Sequence, residues 1–123
     1  MSRSQTSALA ICLTLGSPSG VAGQADVVNA SARCSERICD ISATVEHADS
    51  GWDHYANHWR VLLPDGTELA RRVLHHPHVE EQPFTRSLGA VTIPPGVAQV
   101  LVEAHDSVHG YGGARFELLL PEP

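Results

Sequence analysis

Apolar and polar residues alternate with a period of two along most of this chain, and the 3.6-residue spacing of an amphipathic helix is hard to find. Ile41, Ala43 and Val45 alternate with Ser42, Thr44 and Glu46. Trp59, Val61 and Leu63 alternate with His58, Arg60 and Leu62, and Val100, Val102 and Ala104 with Leu101, Glu103 and His105. Each run reads as a strand with one face against a core. Turn chemistry separates the runs: Pro64-Asp65-Gly66 is a tight hairpin signal and Pro94-Pro95-Gly96 stops a strand. Gly110-Tyr111-Gly112-Gly113 reads as a flexible loop. Seven strands follow, over roughly 26–34, 38–47, 57–63, 67–75, 84–93, 97–106 and 113–120. The expected fold is all-β, a single antiparallel seven-stranded sandwich.

The chain has 123 residues, room for one domain. Its beginning departs from the alternation. Arg3 precedes a short apolar run, Ala8–Leu15, which is too short to span a bilayer as a helix. A Ser/Gly/Pro-rich stretch then leads to Gly23-Gln24-Ala25, where small residues suit a signal-peptidase cut. Residues 1–25 are therefore expected to be a bacterial-type signal peptide and 26–123 the sandwich domain, destined for the periplasm or the cell exterior. Ile11 stands before Cys12 where a lipobox wants a small residue, which argues against lipidation there. The remaining cysteines, in Cys34-Ser-Glu-Arg-Ile-Cys39, fit a disulfide in an oxidising compartment. Metal and redox pairs favour the tighter Cys-x-x-Cys spacing.

Charge narrows the partners. The net charge is −6 with His neutral, and Arg3 falls in the expected leader, so the domain itself is more acidic still. Such a surface has no electrostatic reason to seek nucleic acid or anionic lipid. No segment after the leader is apolar enough for membrane insertion as a helix.

The stretch from Leu88-Gly89 through Ile93-Pro94-Pro95-Gly96 to Val100, Val102, Ala104 and Asp106 resembles the E–F region of fibronectin type III domains. Gly110 and Gly112 resemble the glycines of that family's F–G loop, and Trp59-Arg60-Val61 its C-strand aromatic-x-valine. The likeness covers about half of the domain. Ala98 stands where the family usually has tyrosine, and the Cys34–Cys39 clip is not a family feature. The resemblance implies a fibronectin III/Ig-like sandwich with a binding or spacing role, and no catalytic residue.

Candidate chemistry lies in the eight histidines, at 47, 54, 58, 75, 76, 78, 105 and 109. If strand direction alternates, the first, third and fifth turns lie at one pole and contain no His. The second, fourth and sixth connections, roughly 47–57, 75–83 and 106–113, lie at the other and hold or adjoin all eight. His76-Pro77-His78 places two imidazoles on one side of an extended segment. His54 and His58 share a face if Asp53–Asn57 makes a helical turn, and His105 and His109 bracket the start of the sixth connection. Carboxylates lie among them at Asp49, Asp53, Glu80, Glu81 and Asp106. The candidate ligands are thus His54, His58, His76, His78, His105 and His109, with Asp53, Glu80 or Asp106, for Zn²⁺, Cu²⁺ or Ni²⁺. His47 is expected to end a strand on a backbone carbonyl, and His75 to face solvent. Asp106 is also suited to accept backbone hydrogen bonds at a turn.

A divalent-metal-binding module is the leading expectation. The alternative is a protein- or glycan-recognition module using the same three connections, with Trp52, Tyr55 and Tyr111 as its contact surface. An enzyme has less support: Asp/His pairs occur, but no nucleophile stands in a recognisable elbow or triad.

Overall fold

A computed structural model of the chain describes residues 23–121. The leader expected upstream lies outside the described residues, apart from its last three positions. The described part is all-β: β1 (Asp26–Ser35), β2 (Ile38–Glu46), β3 (Ala56–Leu62), β4 (Glu68–Val73), β5 (Phe84–Thr92), β6 (Gln99–Asp106) and β7 (Phe116–Leu119). All seven expected strands are present, most within two residues of their expected bounds.

Two antiparallel sheets face each other, one in the order β1-β2-β5 and the other β4-β3-β6-β7. The alternating positions supply the layer between them. Ile41, Ala43 and Val45 of β2 meet Trp59 and Val61 of β3 and Val100, Val102 and Ala104 of β6, all essentially inaccessible. Sheet order is not sequential, since the connections after β2, β4 and β5 cross between sheets. Hydrogen bonds nevertheless gather the connections into two groups. Ile93 donates to the Arg37 carbonyl, joining the first turn to the fifth. At the other end, His78 N–H donates to Asp49 and Ser107 N–H to Tyr55 O, joining the second connection to the fourth and to the sixth.

Two elements are shorter than expected. β4 ends at Val73; beyond it Leu74 is buried and donates to the Asn57 carbonyl, and His75 is exposed. β7 begins only at Phe116 because Ala114 pairs with the start of β1, accepting from Val27 N–H and donating to Asp26 Oδ1. Gly113 packs so tightly on the Ala25 carbonyl that a Cβ there would overlap it. The glycine run is thus a close approach of two segments as well as a loop.

Cys34 and Cys39 are cross-strand partners of the β1–β2 hairpin and form the expected disulfide. Closing so short a loop stabilises by roughly 2 kcal/mol on the chain-entropy account. Reduction, or Cys34→Ser with Cys39→Ser, should lower the urea-unfolding free energy by about that amount and leave the strand signal in circular dichroism intact. An unchanged midpoint would show that the hairpin needs no clip.

Candidate metal centre

The alternation that puts Ile41, Ala43 and Val45 into the core continues past the end of β2, so His47 and Asp49 also point inward and are buried. Asp106, the last residue of β6, has the same fate and is wholly inaccessible. Its Oδ1 accepts from the amides of Val108 (2.6 Å) and His109 (2.8 Å), the turn-fixing role expected of it. Oδ2 is thereby aimed at the histidines. It contacts His47 Nε2, lies 2.7 Å from His54 Nε2, and lies 3.4 Å from His109 Nδ1. Three imidazoles from two connections therefore converge on one carboxylate oxygen.

Asp49 forms the layer behind. Its Oδ1 accepts from Ala56 N–H (3.0 Å) and lies 2.5 Å from His47 Nδ1, while Oδ2 accepts from His78 N–H (2.7 Å). Four donors at 2.0–2.1 Å from a tetrahedral ion would be about 3.3–3.4 Å apart. The ligand atoms of His47, His54 and Asp106 all lie within 4.8 Å of one another, whereas His109 has the tetrahedral spacing from Asp106 but lies outside that group. The Asp49–His47 contact is the carboxylate–histidine arrangement that orients a metal-ligating imidazole. His54 and His109 are partly exposed, so the cluster opens to solvent on their side.

Electrostatics point the same way. Among the described residues, Asp49 and Asp106 are in ion-pair range only of imidazoles; Arg60, Arg71 and Arg86 pair instead with Glu68, Glu81 and Glu103. Two buried carboxylates demand positive charge. His47 faces acceptors on both sides: Asp49 at Nδ1, and Asp106 with the Gly23 carbonyl (3.1 Å) at Nε2. A neutral imidazole has one N–H and cannot serve both. The ring is therefore doubly protonated, or a cation shares the space at Nε2. Burial pulls the His47 pKa down, but hydrogen bonds to Asp49 and Asp106 outweigh it and leave it raised. Burial likewise acts to raise Asp106, yet the amides of His109 and Val108, with His54 and His47, hold it far below the usual carboxylate range.

The other expected ligands go elsewhere. Gly51–His54 is a tight bridged turn rather than a helical one, so His54 and His58 do not share a face. His58 and His105 stack at 4.3 Å beside Tyr111, out of ion-pair range of the cluster's carboxylates. There His58 Nε2 shares a 2.7 Å hydrogen bond with the Tyr111 hydroxyl, and His105 Nδ1 donates to Asn57 Oδ1 at 2.6 Å. Tyr111 is half-buried beneath Arg60, 3.7 Å from its ring, rather than projecting as an exposed contact. His78 is buried, stacked on Phe84 and accepting from Arg86 Nη2 at 3.0 Å. His76 is exposed beside it, as are Asp53 and Glu80. Trp52 stands 67% exposed at the turn tip with Tyr55 at its edge.

Of the expected ligand set, the structure brings together His54, His109 and Asp106. It adds His47, which the sequence reading assigned to a backbone carbonyl, and Asp49, which that reading named among the neighbouring carboxylates but not in the ligand set. Strand parity was the signal that could have found both.

Over 77 residues the chain is 44% identical to a protein of Halomicrobium mukohataei named "Putative lipoprotein". The match covers 63% of this chain and 37% of that protein, so the chain spans little more than a third of the relative's length. No family model matches the chain, and no solved structure matches it.

Proposed function

We propose that this chain is an exported sandwich module that binds one divalent transition metal ion through His47, His54, His109 and Asp106, with Asp49 orienting His47. The observation that carries this reading is the gathering of His47, His54 and Asp106 ligand atoms within 4.8 Å of one another, with His109 on the same carboxylate oxygen and a second buried carboxylate behind that has no arginine partner among the described residues. Imidazole with one carboxylate suits Zn²⁺, Cu²⁺ or Ni²⁺. The stacking of three strands on four supports a fibronectin III/Ig-like arrangement. The name of the Halomicrobium relative supports an exported, cell-envelope location, periplasmic or extracellular.

The test is a calorimetric titration of the chelator-stripped protein with each ion. One ion should bind per chain with micromolar affinity or tighter, and binding should weaken as pH falls through about 6.5, where imidazoles take up protons. His54→Ala should weaken Zn²⁺ binding by roughly 100-fold, about 2.7 kcal/mol. His76→Ala, outside the cluster, should leave it unchanged. Equal affinities in the two variants would move the ion away from Asp106.

Exposed Trp52 favours a second reading, a protein- or glycan-recognition module. Metal-independent partner binding that is lost in Trp52→Ala would select it.

A further inference from the structure

We infer that the leader is removed between Ala22 and Gly23, and that the Gly23 amine released there joins the Gly23 carbonyl as a chelating pair at the histidine cluster. The second half of this inference rests on the metal-binding reading above.

Gly23, Gln24 and Ala25 belong to the folded domain. Ala25 is 0% exposed and part of the core, and its carbonyl packs against Gly113. The Gln24 side chain lies on Gly112 so closely that a Cβ there would overlap it. The Gly23 carbonyl is 3.1 Å from His47 Nε2, and a Cβ placed on Gly23 would sit 3.1 Å from His109 Cε1. A cut before Asp26, which the small residues at 23–25 suggested, would strip a core residue and this backbone contact from the cluster.

One step upstream, Gly20-Val21-Ala22 offers the same small-x-small pattern, after an apolar run ending at Leu15. Hydrolysis there adds water across the Ala22–Gly23 amide, leaving a carboxylate on Ala22 and a free amine on Gly23. The amine nitrogen, Cα, carbonyl carbon and carbonyl oxygen of a terminal residue close a five-membered ring on a metal ion. The neutral amide of an uncut chain is a poor donor. Export processing would thus complete the site, and the unprocessed precursor would bind its ion less tightly.

The chain contains no lysine, so the terminal amine is its only primary amine and can be blocked selectively. The experiment purifies the exported, processed protein, determines its first residue by intact mass and N-terminal sequencing, and titrates Zn²⁺ before and after acetylation with an amine-selective ester. The expected result is a chain starting at Gly23, at least a tenfold loss of Zn²⁺ affinity on acetylation, and protection of the amine by bound Zn²⁺. A chain starting at Asp26, or one retaining Cys12, overturns the cleavage site. A Gly23 start with Zn²⁺ affinity unchanged by acetylation overturns the amine ligand and leaves the histidine site standing. No Zn²⁺ binding before or after acetylation overturns the metal reading itself.

Discussion

Asp106→Asn should weaken Zn²⁺ binding by roughly 1000-fold, about 4 kcal/mol, while the domain stays folded. Asparagine keeps the side chain's shape, and its carbonyl oxygen can still accept from Val108 and His109, so the turn after β6 survives. What changes is the other end of the group. An NH₂ now faces His47, His54 and His109 where a carboxylate oxygen stood, and it cannot ligate a cation. Asp106→Ala removes the turn acceptor of the Val108 and His109 amides as well, so it should also lower the unfolding free energy. Titration calorimetry on both variants, with urea unfolding alongside, separates the two effects. Wild-type Zn²⁺ affinity in Asp106→Asn would exclude Asp106 as a ligand.

Acidifying the metal-free protein from pH 7 to pH 5 should destabilise it, with His58 alone contributing about 2 kcal/mol. Burial first, then the positive neighbours His105 and Arg71, push the His58 pKa from 6.5 down to about 4. Between those values the unfolded chain binds a proton that the native protein refuses. The contribution is full above pH 6.5 and is lost as pH falls toward 4. His78 and His105 are also lowered, chiefly by burial, and add loss in the same direction. His47 opposes them: its raised pKa contributes stability that is present at low pH and lost as pH rises through its folded value. Asp106 contributes stability above the ordinary carboxylate range, so it is constant across this window. Urea midpoints at the two pH values, in chelator, measure the balance. His58→Gln should remove about 2 kcal/mol of the pH dependence, since glutamine can still bond the Tyr111 hydroxyl. A His58→Gln protein with the pH dependence of the wild type would show that His58 titrates freely.

How much of this was legible beforehand follows from which interactions are local. The period-two runs around Ile41, Trp59 and Val102 specify which face of each strand is buried, because a one-residue slip would turn that face to solvent. Pro64-Asp65-Gly66 and Pro94-Pro95-Gly96 end strands through backbone preferences carried by those residues themselves. Alternating strand direction then sends the histidine-bearing connections to one end, whatever the order within the sheets. The turn role of Asp106 was readable for the same reason, since its amide partners are two and three residues away.

Which histidines meet was not readable. His47 and Asp106 are 59 residues apart, one just past the end of β2 and the other ending β6 in the opposite sheet, so their contact exists only once the sheets are stacked. His78 is drawn off by Phe84 and Arg86, and His58 by Tyr111, competitors that no spacing rule weighs. The amino-acid sequence by itself determined the strands, their buried faces and the pole at which the imidazoles gather. The tertiary structure alone decided which of those imidazoles meet which carboxylate, because only sheet packing sets distances of a few ångströms between segments so far apart in the chain.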